Sequence, residues 1–345
     1  MKEFADKIHD EEALDELLSR PGPEVVETLS RIDGDIMFLG VSGKIGPYLA
    51  RMAKRACDES GVRKRIIGVA MFDSPEQQSK IEDFGVETIS GDLLDNGFLN
   101  NLPEFKNIFY LAGMKFGSSD NLPLTWAVNS YLPALVSSRF RNSRIVVFST
   151  GCIYPLVPVN STGSVETNAP DALGEYAQSC LGRERMFQYG SSKYGTEVVL
   201  IRLNYSVEMR YGVLTDIGVR VKNKLPVDLS MGYFNVIWQG DMNDFVLRSL
   251  EHTKCPAKIL NLTGPETLSV RKVALDFGKH FGVTPEFVNT ESETALLSDA
   301  AKAFSLFGKP KVPASQVIEW LAEWLKDGGR LLEKPTHFET RNGKY

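Results

Sequence analysis

The stretch Ile36-Met37-Phe38-Leu39-Gly40-Val41-Ser42-Gly43-Lys44-Ile45-Gly46 constrains the fold more tightly than any other in the chain. Four apolar residues of strand length run into three glycines spaced G-x-x-G-x-x-G, and residues 47–56 then read as a helix. Glycines let a backbone turn sharply and approach a diphosphate closely, while the free N–H groups at a helix start attract its negative charge. Pro47 suits the first helical turn, where a missing N–H costs little. Gly40, Gly43, Lys44, Ile45 and Gly46 are therefore the expected cradle of a phosphate-bearing cofactor. A plain strand-to-helix turn is the other reading of the glycines taken alone.

The chain around this turn repeats one pattern. Apolar strand-like segments at 65–70, 86–90, 107–113, 144–150 and 198–202 alternate with helical stretches. Such alternation predicts an α/β fold, a doubly wound parallel sheet of the Rossmann kind covered by helices on both faces. A site for NAD usually ends its second strand with an acid that accepts hydrogen bonds from the adenosine ribose. Here Ala70 and Met71 stand in that region, Asp73 follows slightly late, and no arginine is present to receive a 2′-phosphate. NAD is accordingly the expected cofactor, with NADP the alternative.

Composition removes several classes of function. A net charge of −5 gives no electrostatic basis for binding nucleic acid or an anionic membrane. No apolar run approaches the roughly 20 residues a membrane span needs, and Met1 to Asp6 are too acidic for a signal peptide. Cys57, Cys152, Cys180 and Cys255 are scattered without metal-ligand spacing, so reduced thiols in a cytoplasmic protein and no metal are expected.

Further motifs follow in order: Gly91-Asp92-Leu93, Leu111-Ala112-Gly113-Met114-Lys115, Asn129, Ser149-Thr150-Gly151-Cys152-Ile153-Tyr154, Tyr176-Ala177-Gln178-Ser179-Cys180, and Asn261 to Val270. With the glycine triplet, these resemble the extended short-chain dehydrogenase/reductase family, which includes nucleotide-sugar epimerases and dehydratases, over residues 34–268. The resemblance implies cofactor contacts from Asp92, Leu93, Leu111, Ala112, Gly113, Lys115 and Asn129. It also implies a catalytic Thr150 and a catalytic Tyr176. The Ala-Gly-Met-Lys stretch looks most like that of UDP-galactose 4-epimerases.

One departure bears directly on the chemistry. In the family a lysine four residues after the tyrosine holds the nicotinamide ribose and lowers the tyrosine pKa, and here that position is Cys180. A neutral thiol supplies neither service, and a phenol with an ordinary pKa of ~10 is about one part in a thousand ionised at pH 7. A lysine restored at 180 is therefore expected to raise activity. Arg183 shares the helix face of Tyr176 and Cys180 at i, i+4 and i+7, and it and Lys115 are the two candidates for the missing charge. The spacing Tyr189-x-x-x-Lys193 is set aside because a strand begins by Val198, leaving no room for the helix that should follow.

The family's dehydratases carry Asp-Glu after the catalytic threonine; Gly151 and Cys152 stand here, which argues against that water loss. Asn204 falls one position early relative to the family's phosphate-contacting asparagine. It remains a candidate substrate contact, as does Arg210, which suits a carboxylate or phosphate. Residues 1–33 are expected to form a helical arm, as a surface brace or a contact between two copies in a homodimer. Residues 34–203 are expected to bind NAD(P), and 204–345 to form mainly a smaller substrate domain, with 236–262 returning to the sheet. The resulting expectation is an oxidoreductase or epimerase acting on a secondary alcohol of a sugar, sugar acid or nucleotide-sugar. The alternative is a catalytically silent NAD(P)-binding sensor or scaffold.

Overall fold

The computed structural model describes residues 7–115, 117 and 120–343. The acidic start of the arm, Met1 to Asp6, lies outside them. Seven parallel strands form the central sheet: β1 (Ile36–Leu39), β2 (Ile66–Ala70), β3 (Glu87–Ser90), β4 (Asn107–Tyr110), β5 (Arg144–Thr150), β6 (Glu197–Leu203) and β7 (Lys258–Leu262). Their spatial order is β7-β6-β5-β4-β1-β2-β3. The chain leaves β1 toward β2 on one side and later returns to β4 on the other, so the order reverses between β1 and β4. A crevice opens at the carboxyl ends of strands at such a switch point, and ligands of doubly wound sheets bind there. The buried strands read as continuous apolar runs because both sheet faces are covered. Phe38, Phe109, Val146, Val199 and Leu260 pack on one face, and Met37, Ile108, Val147 and Leu200 on the other.

The arm folds as α1 (Glu11–Ser19) and α2 (Pro23–Arg31). Asp10 caps α1 by accepting from the Ala13 amide, and Pro23 opens α2 at a position where no N–H is needed. Leu14, Leu18, Val25 and Leu29 are fully buried. The α1 leucines join the core of the C-terminal region and the α2 residues join that of the sheet. The arm therefore braces both halves of the chain, and its apolar faces are buried within one molecule.

Beyond β6, Ile237–Trp238 pairs with Ser206–Val207 in a two-residue ladder separate from the sheet. Of residues 236–262, β7 is the part that hydrogen-bonds into the sheet, along β6. The helix Gln239–Arg248 adds Met242, Phe245 and Val246 to the sheet's core. A second core gathers the helices Val213–Lys222, Val270–Phe281 and Ala314–Lys326, including Ile217, Phe277, Trp320 and Leu321. Trp320 lies edge-on to Trp238 at 5.5 Å, as the apolar stripe of its helix requires. Among the described residues no helix is long and apolar enough to cross a membrane.

Candidate active site

The three glycines after β1 do three different jobs. Gly40 turns at φ +87°, and a Cβ there would lie 2.5 Å from the Ala112 amide nitrogen. Gly46 starts the helix Gly46–Ser60, where a Cβ would lie 2.1 Å from the Val41 carbonyl oxygen, so strand and helix touch only because it has none. Gly43 differs from both: its Cβ would meet nothing nearer than the Gly40 carbonyl oxygen at 3.8 Å. Its open side faces a cleft of about 500 Å³ at the switch point. Turn, close approach and tight helix packing are the division of labour that a diphosphate-binding turn needs.

The cleft brings together much of what the sequence marked. Gly40, Gly43, Lys44, Ile45, Gly46, Leu111, Gly113, Lys115, Thr150, Tyr176, Arg183 and Asn204 all line it. Thr150 ends β5, and its hydroxyl accepts from the Cys152 amide at 3.1 Å. Tyr176 lies in the first turn of the long helix Gly174–Tyr194 and hydrogen-bonds Thr150. Burial lifts the Tyr176 pKa well above the usual phenol value, and Cys180 and Cys152 add to the rise; Arg183 and the Thr150 hydrogen bond only partly offset it. Burial likewise raises the Cys180 thiol, with Arg183 working against the rise. At neutral pH the Tyr176 hydroxyl keeps its proton.

The helix is held at this depth by buried charge. Glu184 takes a two-point contact from Arg202, Nε to Oε1 at 3.0 Å and Nη2 to Oε2 at 2.8 Å, and also accepts from Ser149 Oγ at 2.6 Å. Arg202 Nη1 donates to the Tyr154 hydroxyl at 2.6 Å, which in turn donates to Asn261 Oδ1 at 2.9 Å. Three strands and the helix are thereby tied at one level. Ser149 is committed to Glu184, which leaves Thr150 as the hydroxyl presented to the cleft.

Arg183 is where the structure goes beyond the sequence motif. It is 94 % buried, being 6 % exposed. Nη1 donates to the Phe148 carbonyl and Nη2 to Asn129 Oδ1, both at 2.7 Å. Its Nε is buried and has no hydrogen-bond partner among the described residues. Asn129 Oδ1 also accepts from the Met114 amide at 2.8 Å, and Asn129 Nδ2 donates to the Met114 carbonyl at 2.9 Å. Asn129 sits in a π-helical turn, Ala127–Tyr131, a local irregularity that re-aims a side chain. A Cβ on residue 113 would lie 2.4 Å from Arg183 Nη2, so Gly113 is the space the guanidinium occupies. Of the two cations considered in place of the lysine, Arg183 is the one built in beside Tyr176. Lys115 instead reaches the Tyr211 hydroxyl, 3.4 Å away.

Several expected contacts fall elsewhere. Asp73 is exposed beyond β2 and its backbone amide is taken by Gln77, whose own side chain reaches the cleft. Asp92 is exposed and caps its own loop through the Leu94 amide, while Leu93 is buried in the sheet's core. Ala112 packs beneath Gly40 rather than facing the cleft, and Asn129 acts from behind it. Arg210 is not an open anchor: Glu208, Glu11 and Asp15 surround it and the Tyr48 hydroxyl lies 3.0 Å from Nη2. An arginine buried at 5 % exposure needs such partners, and they use up its donors. Tyr189 is exposed near the far end of the helix and does not line the cleft. Among the described residues no group of three or more His, Cys, Asp or Glu is placed to hold a metal.

Other cleft residues carried no motif. Tyr205, at φ +43°, turns the chain after Asn204 so that 203–206 run along the wall. Tyr211 faces Lys44 and Lys115. Leu332, Lys334 and Thr336 come from the C-terminal segment, which the sequence marks only as polar.

No known family model matches the sequence, and no curated protein matches it. The fold has clear counterparts. A UDP-glucuronic acid 4-epimerase from Bacillus cereus, solved with UDP-glucuronic acid and NAD, superposes with a TM-score of 0.69 at 16 % identity, covering 85 % of this chain and 99 % of that one. A UDP-glucose 4-epimerase from Thermotoga maritima, solved with UDP-glucose, gives 0.68 at 15 %, with 85 % and 99 % covered. An epimerase from Methanothermobacter thermautotrophicus gives 0.70 at 18 %, with 90 % and 97 % covered. The architecture is that of these Rossmann-type epimerases.

Proposed function

We propose that the protein is an NAD-dependent oxidoreductase or epimerase acting on a secondary alcohol, or the matching carbonyl, of a sugar, sugar acid or nucleotide-sugar. The observation that carries this reading is the Tyr176–Thr150 hydrogen bond set in the same cleft as the open face of Gly43. The residues present suit a dinucleotide. Gly43 leaves room for a diphosphate against the start of its helix, and Arg183 brings a positive charge to the lining of the same cleft. No cation follows β2 closely enough to greet a 2′-phosphate, which favours NAD over NADP. The solved epimerases named above, one of them carrying NAD, support the same reading.

When bound, the nicotinamide supplies or accepts hydride. The chain's own residues handle the proton. Thr150 holds the substrate oxygen beside Tyr176, and Tyr176, protonated at neutral pH, donates to that oxygen as a carbonyl becomes an alcohol. In the opposite direction Tyr176 must first be without its proton, and Arg183 is the positive charge that eases the loss. Asn129 and Phe148 hold Arg183 in place. The raised Tyr176 pKa keeps the phenol protonated at neutral pH, so the reducing direction starts from the protonation state already present.

That same rise favours a second reading, a protein that binds NAD without turning anything over. Nicotinamide absorbance with a panel of sugars, sugar acids and nucleotide-sugars separates the two, read alongside NADH binding. The enzyme reading expects Tyr176→Phe to keep NADH affinity and to lose about 10²-fold or more in rate. An unchanged rate in that variant removes Tyr176 from the mechanism. Tight NADH binding with no turnover on the whole panel selects the silent reading.

A further inference from the structure

An asparagine side chain has two ends of nearly equal shape and opposite hydrogen-bonding sense, and its surroundings decide which end meets a ligand. Asn204 follows β6 directly, is 2 % exposed and lines the cleft. Behind it stands Asn235, whose Nδ2 donates to the Ser298 carbonyl at 2.7 Å and whose Oδ1 accepts from the Ser298 amide at 3.4 Å. A backbone N–H only donates and a backbone carbonyl only accepts. The Asn235 carboxamide therefore has one allowed orientation.

That orientation fixes Asn204 in turn. Asn235 Oδ1 accepts from Asn204 Nδ2 at 2.6 Å, and the Leu296 carbonyl oxygen lies 3.5 Å from the same nitrogen. Both acceptors belong to the protein, so the donor end of Asn204 is committed inward. Among the described residues nothing donates to Asn204 Oδ1. Residue 151 marks where that oxygen lies: a Cβ there would stand 3.3 Å from Asn204 Oδ1 and 3.2 Å from its Cβ. Gly151 comes immediately after Thr150, so its missing side chain leaves room for the carboxamide oxygen at the strand end that carries the catalytic hydroxyl.

We propose that Asn204 is a specificity-determining residue whose Oδ1 accepts a hydrogen bond from a substrate hydroxyl close to the oxygen held by Thr150 and Tyr176. The assignment rests on the reading of the cleft given above and adds to it the sense of one contact. A phosphate contact, the role of the family's asparagine one position later, is closed to Asn204, because its N–H groups are spent on Asn235 and Leu296. An ionised carboxylate or phosphate brings no proton and would face the carboxamide oxygen lone pair to lone pair. A substrate without the hydroxyl leaves a buried acceptor unpaired, which costs more than the bond itself contributes.

The test is a cycle between ligand and protein, read by calorimetry on the full chain loaded with NADH. The probes are methyl glucoside, glucuronate and UDP-glucose, each with its monodeoxy forms, and UDP as a phosphate ligand without the sugar. At least one sugar probe should bind, and one of its deoxy forms should bind about 10-fold more weakly. In Asn204→Ala that difference should shrink to within about 2-fold, and UDP should bind no more weakly than to the parent. A second measurement needs no stable variant. In protein carrying isotope-labelled asparagine, the sugar should move the Asn204 Cγ resonance downfield and leave its Nδ2 proton resonances in place. Deoxy discrimination that survives Asn204→Ala at every position, loss of UDP along with the sugar, or a shift confined to the Nδ2 protons overturns the proposal, and so does binding of none of the sugars. If the unsubstituted chain does not bind NADH, the cofactor reading falls instead, and the same cycle on the protein alone decides Asn204. A sugar bound through Asn204 without turnover selects the silent reading and leaves the assignment standing.

Discussion

Restoring the family's lysine should harm this protein rather than improve it. Cys180 is fully buried one turn below Arg183, whose guanidinium already fills the space over Gly113. Residues three apart on a helix have Cβ atoms about 5–6 Å apart. Two unit charges at ~6 Å and an effective dielectric of ~20 repel by about 3 kcal/mol. Forcing a longer side chain into a packed site costs a further ~1–3 kcal/mol. Cys180→Lys should therefore lose about 4–6 kcal/mol, a large share of the ~5–15 kcal/mol that holds a folded domain. Urea unfolding measures the loss, and NADH titration at low urea reports on the cleft. Combining Cys180→Lys with Arg183→Met removes the repulsion and frees the guanidinium's volume, so most of the stability should return. A Cys180→Lys protein as stable as the parent and faster in turnover would refute the claim that Arg183 has taken the lysine's place.

Gly43→Ala and Gly46→Ala should separate binding from folding. The first adds a methyl to open cleft and should leave the melting temperature unchanged while weakening NADH at least about 10-fold. The second drives a Cβ to 2.1 Å from the Val41 carbonyl oxygen and should destabilise the fold. Asp241, whose Oδ2 accepts from the Val312 amide at 2.8 Å, is pushed up to about 6 by burial from an ordinary 3.8. The native state thus binds that proton more tightly, and stability from this group falls as pH rises from about 4 to 6. Asp241→Asn should raise the melting temperature at pH 7.5 by an amount worth at most about 3 kcal/mol, and leave it unchanged at pH 4.

The sequence determined the local chemistry. Apolar runs of four to seven residues, glycines at fixed spacing and the caps of each helix are written in neighbouring positions, because strand pairing and a tight turn depend on residues close in the chain. Those patterns sufficed for the sheet and the glycine turn, while Thr150 and Tyr176 were marked by the family resemblance, and the structure places the two in hydrogen-bond contact. Even the arm's two helices were legible from the Pro21-Gly22-Pro23 break between them.

Tertiary structure decided what each charge faces. Arg210 and Arg183 look alike in sequence. One is enclosed by carboxylates from the arm and from Glu208, while the other lines the cleft, held there by the Phe148 carbonyl and Asn129. Lys44 sits in the glycine turn, yet its ammonium belongs to the opposite wall. Lys334 reaches the site from more than a hundred residues beyond β6. No local pattern encodes such meetings, since a long side chain's partner is fixed by how distant segments pack and by which charges burial forces together.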